Sequence, residues 1–118
     1  MSINNALASV PVHDLRTSEL WYEQLLGRPA DASPMPEVSE WRFPGGGWLQ
    51  VYENKQRAGA GSVTLAVENL EEQISALTKL GIDPGLPLIG KVVKVVMIKD
   101  PDGNSLAFAE ATDPRIAH

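Results

Sequence analysis

The chain has 118 residues, 43% of them hydrophobic, with 15 acidic and 10 basic side chains, a net charge of −5 and no cysteine. One domain's worth of chain with that apolar content can bury a core without staples, and the lack of cysteine excludes disulfides, thiolate metal sites and cysteine nucleophiles, as suits a reducing compartment. Scattered basic residues, of which Lys91, Lys94 and Lys99 are the nearest set, exclude a nucleic-acid face.

No apolar run approaches the roughly 20 residues of a membrane span, and the N-terminus lacks the order of a secretory signal, so a cytoplasmic protein is expected. Ala6 to Val12 (ALASVPV) reads as a short apolar strand, with Pro11 favouring an edge or a strand end. Leu15, Trp21, Tyr22, Leu25 and Leu26 predict a helix with one buried face, N-capped by Asp14 and closed by Gly27 and Pro29. Residues 30–40 carry Pro34 and Pro36 and little periodicity, which predicts a loop or a poor edge strand. Trp41 to Phe43 is a short strand, 44–47 (PGGG) a turn, Trp48 to Glu53 (WLQVYE) a strand, and 54–61 a polar connection. Ser62 to Val67 is again a strand. A second helix follows with Leu70, Ile74, Leu77 and Leu80 on one stripe, Asn69 and Glu72 as a capping-box-like pair, and Gly81 as its stop. Residues 84–90 read as a broken edge strand or loop, Lys91 to Lys99 as a valine-rich strand, Asp100 to Gly103 as a tight turn, and Asn104 to Ala111 as the last strand. The tail 112–118 (TDPRIAH) reads as frayed.

Val12-His13-Asp14-Leu15 returns as Val67-Glu68-Asn69-Leu70 at an offset of 55, and Leu26-Gly27 as Leu80-Gly81 at an offset of 54. Each half therefore reads strand, helix, then up to three strands, which predicts a pseudo-twofold structure. VHDLRTSELWYEQLLG resembles the first-helix signature of the vicinal oxygen chelate superfamily, through Asp14, Ser18, Trp21, Tyr22, Leu26 and Gly27. Asp100 to Asn104 (DPDGN) is similar to the closing hairpin of that group, which includes glyoxalase I, extradiol dioxygenases, fosfomycin resistance proteins and bleomycin-binding proteins. The resemblance implies an α+β fold in which two βαβββ modules form a cupped mixed sheet with helices on the outer face. It implies one domain over 1–118, with module one at about 5–56 and module two at about 61–112.

Active members of the superfamily hold a divalent metal on the first and last strands of each module. The resemblance places those positions at Leu7, Gln50, Ser62 and Ala107. Leu7 and Ala107 offer no donor, Ser62 is a poor ligand and Gln50 at best one, so no metal and no other cofactor is expected. The two histidines, His13 and His118, read as surface groups. Strand alternation then groups Trp48, Gln50 and Tyr52 on the inner face with Leu7, Ser9, Ser62, Val95, Met97 and Ala107, while Leu49, Val51, Leu106 and Phe108 pack under helices. Those nine inward residues are the expected ligand contacts, and no catalytic residue is expected.

An apolar, aromatic cavity with few polar groups suits holding a small organic molecule. The expected function is therefore metal-free capture of a drug-like compound, as in antibiotic resistance, or sensing of a metabolite. The alternative is a metal-dependent lyase or dioxygenase with ligands shifted to Gln50, Glu53 and Glu110; a third reading is an accessory homologue whose own side chains fill the cavity. Trp41, Phe43, Trp48 and Tyr52 read either as a wall that stacks on a ligand or as core or dimer interface. Asp100 and Asp102 read as turn formers without chemistry. A homodimer is expected, since members of the superfamily commonly pair two chains.

Overall fold

The structure is a computed structural model and describes residues 2–112. The expected frayed tail lies outside the described residues from 113 onward, and so does His118.

The elements follow one another as β1 (Leu7–Val12), α1 (Leu15–Leu26), β2 (Ala32–Met35), β3 (Val38–Arg42), β4 (Trp48–Glu53), β5 (Ser62–Ala66), α2 (Leu70–Lys79), β6 (Leu88–Ile89), β7 (Val93–Lys99) and β8 (Ser105–Ala111). They build two four-stranded sheets of the same order, β1-β4-β3-β2 and β5-β8-β7-β6. In each sheet the first strand lies parallel to the last, and the other pairs are antiparallel. A parallel pair needs a long crossover, and each helix with its following hairpin supplies one. The fold is α+β, two βαβββ modules. Among the described residues no helix is long and apolar enough to cross a membrane.

The chain forms two compact units. One comprises the chain up to Gly61 together with Pro101–Asn104; the other comprises Ser62–Asp100 and the stretch from Ser105. In the first, the Asp14 carboxylate accepts from the Arg16 backbone N–H and the Thr17 hydroxyl, both at 3.1 Å, and so caps α1. Gly27 ends the helix at φ 78°, where a side chain would be strained, and donates to the Glu23 carbonyl. Helix α1 packs on β3 and β4 and buries Leu15, Ser18 and Tyr22. Val10, Val12, Tyr22, Trp41, Leu49 and Val51 are fully buried. Trp41 lies 6.2 Å from the Tyr22 ring, and its indole N–H donates to the Arg28 carbonyl at 3.0 Å. Of the two readings for this ring, core is the one the structure bears out.

Residues 30–40 hold more order than their prolines suggest. They contain β2 and the start of β3, with a register shift between Ala32 and Met35. The Ser33 hydroxyl donates to the Val38 carbonyl at 2.9 Å and bridges the hairpin beside Pro34.

The Asp-Pro-Asp-Gly-Asn turn does more than reverse the chain. Asn104 is fully buried; its amide donates to the Pro11 carbonyl at 2.8 Å and accepts from the Gly61 N–H at 2.7 Å. Asp102 accepts from the His13 backbone N–H and the Ser18 hydroxyl, each at 3.3 Å. Pro11 lacks a backbone donor, which edge strand β1 tolerates, and its carbonyl is used by this turn. The fit is close enough to dictate glycine. A Cβ on Gly61 would lie 2.8 Å from Pro11 Cδ, and one on Gly59, at φ 89°, would lie 2.5 Å from the Asp102 carbonyl oxygen.

In the second unit Asn69 caps α2 by accepting from the Glu72 N–H at 3.0 Å. Helix α2 packs on β7 and β8; Leu70, Leu77, Val63, Val96, Ile98, Leu106 and Phe108 are the buried apolar side chains of this unit. The expected Gly81 stop lies one residue past the Leu80 C-cap, with φ 79°.

Candidate functional site

Each sheet has a face that packs on its helix and an opposite, open face. Side-chain alternation puts Leu49 and Val51 of β4 on the helix side, fully buried, and leaves Trp48, Gln50 and Tyr52 half-buried on the other. The register aligns three rows across this open face. Leu7, Trp48 and Arg42 form one; Ser9, Gln50 and Glu40 the next; Pro11, Tyr52 and Val38 the third. The central row is hydrogen bonded throughout: the Ser9 hydroxyl donates to Gln50 Oε1 at 3.1 Å, and Gln50 Nε2 donates to Glu40 Oε2 at 2.9 Å. In the first row the Arg42 guanidinium sits 5.4 Å over the Trp48 ring, a cation–π contact. The backbone of Arg42 is held at both ends, since its N–H donates to Asp31 at 2.7 Å and its carbonyl accepts from Arg28. The Arg28 guanidinium bonded to Asp31, aided by that Arg42 N–H, holds the Asp31 carboxyl below the usual carboxylate range.

The open face of the second sheet is smaller in its side chains. Its rows are Ser62, Ser105 and Lys99; Thr64, Ala107 and Met97; and Ala66, Ala109, Val95 and Leu88. The Lys99 ammonium donates to the Ser105 hydroxyl at 2.8 Å. Beside β7 an opening of about 340 Å³ is lined by Ile82, Asp83, Met97, Ile98 and Lys99. Met97 is the one expected ligand contact that touches it.

The nine expected contacts thus fall on two open faces. Leu7, Ser9, Trp48, Gln50 and Tyr52 share the first, and Ser62, Val95, Met97 and Ala107 the second. Gln50 and Ala107 hold matching positions, because they pair with Ser9 and Thr64, which are themselves 55 residues apart. Alternation also brings Glu40 and Arg42 to the first face, and these the sequence reading missed. Their signal was present: in VSEWR, Glu40 and Arg42 alternate with buried Ser39 and Trp41.

The donor set does not fit the divalent metal that the resemblance implies. Leu7 and Ala107 are hydrocarbon, and among the described residues no group of three or more His, Cys, Asp or Glu could hold an ion. Glu53 and Glu110 lie on the helix faces. Each accepts the first N–H of its helix, Glu53 from Leu15 at 3.1 Å and Glu110 from Leu70 at 2.7 Å. A carboxylate there answers the positive end of the helix dipole.

The sequence matches no protein-family model and no curated protein sequence. Solved structures do match. A glyoxalase/bleomycin resistance protein from Catenulispora acidiphila DSM 44928 is 31% identical, covers 90% of this chain and 96% of its own, and superposes with a TM-score of 0.80. This chain belongs to the glyoxalase/bleomycin resistance protein family. Two more distant structures share the fold of that family. TnmS3, an antibiotic-binding protein from Streptomyces sp. CB03234, is 21% identical over 95% of this chain and 99% of its own, with a TM-score of 0.81. A bleomycin resistance determinant encoded on transposon Tn5 is 17% identical over 94% and 100%, with a TM-score of 0.77. The likeness to the vicinal oxygen chelate superfamily, drawn from the first helix and the closing hairpin, therefore holds in three dimensions.

Proposed function

We propose that this family member captures a small organic molecule without a metal, on the open face of its first sheet. The observation that carries the reading is the Trp48–Gln50–Tyr52 face: two half-buried aromatic side chains flank an amide already oriented by Ser9 and Glu40. Aromatic area with few, placed polar groups favours binding planar organic matter. Leu7 borders this face. The open face of the second sheet, with Ser62, Val95, Met97 and Ala107, is the second candidate surface. An antibiotic is a fitting ligand class, since TnmS3 binds one and the Tn5 protein determines resistance to another. Glu53 and Glu110, the carboxylates a shifted metal site would need, are already used at helix N-termini, which speaks against the lyase or dioxygenase reading. We also propose a cytoplasmic homodimer, with the exposed Leu86, Leu88 and Ile89 as apolar surface available to a second copy.

Calorimetric titration with planar aromatic antibiotics, with and without a chelator, tests the reading. Binding is expected, indifferent to chelation and weakened by Trp48→Ala. Stoichiometric bound metal whose removal abolishes binding would overturn it. Sedimentation as a monomer at micromolar concentration would overturn the dimer.

A further inference from the structure

The central row of the first open face has a direction. An ionised carboxylate only accepts hydrogen bonds, so Glu40 obliges the Gln50 amide to turn its nitrogen toward it. The amide oxygen then faces Ser9, whose hydroxyl has to donate. Three side chains from three adjacent strands are thereby polarised toward one carboxylate. That carboxylate is half-buried and faces no cation: the ion pairs among the described residues are Arg28–Asp31 and Lys94–Glu110, and the nearby Arg42 is turned onto Trp48. Its one side-chain partner is a neutral amide, so Glu40 retains acceptor capacity beside aromatic surface. A charge held this way is best complemented by a positively charged donor.

We propose that Glu40 is the specificity-determining contact for a planar aromatic ligand that carries a protonated nitrogen, and that Gln50 is its positioning residue. The proposal rests on the reading that this face binds small molecules, and it adds the class of ligand. Trp48 and Tyr52 supply the flat apolar contact, Glu40 accepts the N⁺–H, and Gln50 with Ser9 keeps the carboxylate in place. Arg42 disfavours a second positive charge at the Trp48 end, so a single cationic nitrogen is the best match.

Two fluorescent probes of similar shape test this on the full chain: proflavine, a planar aromatic cation at neutral pH, and acridone, its neutral counterpart. The intact protein is expected to bind proflavine more tightly. Glu40→Gln, which keeps the shape and removes the charge, should weaken proflavine about tenfold and leave acridone and the melting temperature unchanged. Gln50→Leu should weaken proflavine by a smaller factor, and added salt should weaken proflavine alone. A row that merely ties strands together would instead lower the melting temperature and affect both probes alike; that result overturns the proposal, as does a wild-type protein that binds neither probe or prefers acridone. Trp48→Ala separates this from the underlying reading. If it weakens both probes while Glu40→Gln has no selective effect, the face binds ligands and only the charge preference falls. If both probes bind and Trp48→Ala weakens neither, the binding face itself is misplaced and both ideas fail.

Discussion

Glu53 and Glu110 occupy matching places in the two sheets and do the same work, each receiving the first N–H of its helix. Gln50 and Ala107 also occupy matching places, yet one is the centre of a polar row and the other is a methyl group. The same split runs along both strands. On the helix side, Leu49 and Val51 answer Leu106 and Phe108, all buried. On the open side, Trp48 and Tyr52 answer Ser105 and Ala109. Packing against a helix tolerates little change of volume or polarity, so that face keeps its character. The open face is free of that demand and carries the difference that function can use.

Substitutions can break this comparison or sharpen it. The widest contrast should come from the two tryptophans of the first sheet. Trp41→Ala is expected to cost about 3–5 kcal/mol in urea unfolding, because the ring is buried. Trp48→Ala should stay within about 1 kcal/mol and show its effect on ligand binding. Equal losses for the two would erase the distinction between faces. Next is Asn104→Ala, which removes a buried amide and its bonds to the Pro11 carbonyl and the Gly61 N–H, and should cost about 2–4 kcal/mol by the same measurement. Glu53→Gln and Glu110→Gln should each cost about 0.5–1 kcal/mol, and by similar amounts. A loss confined to one helix would mean that the repeat is only geometric.

The smallest effect is a pH dependence. Arg28 lowers the carboxyl of Asp31 below its ordinary value of 3.8. A depressed carboxyl contributes stability that is present above that value and is lost as the pH falls through the folded-state value. Arg28→Gln should therefore flatten the acid limb of a thermal melting series. The pair is exposed, so the difference should shrink in high salt.

Much of the fold was written locally. Asp14 and Asn69 as caps, Gly27 as a stop and the alternation in WLQVYE all depend on neighbours within a few residues, and each appears as expected. The β2–β3 hairpin was harder to read. Its prolines hide β2 and mask the start of β3, although Ser39 to Arg42 alternate between the two faces. Residues 30–40 therefore read as a loop or a poor edge strand, which gives Glu40 no assigned face, whereas the structure places it in β3. Asp102 and Asn104 were legible only as turn residues, because their partners Ser18, Pro11 and Gly61 lie at least 43 positions away. The buried hydroxyl of Ser39, with no hydrogen-bond partner, had no warning in the sequence, and the structure offers no reason for it.

The bond from Asn104 to Pro11 also sets an order of events during synthesis. Strand β1 leaves the ribosome well before the amide that completes its surroundings, since Asn104 follows Pro11 by 93 residues. Until that late residue emerges, the Gly61 N–H lacks its Asn104 acceptor, and the Pro11 carbonyl, which also accepts from the Gly59 N–H at 3.4 Å, lacks its shorter bond. Closure of the first module therefore waits for the last hairpin, and a chain that stops short of that hairpin is expected to be a substrate for chaperones and proteases.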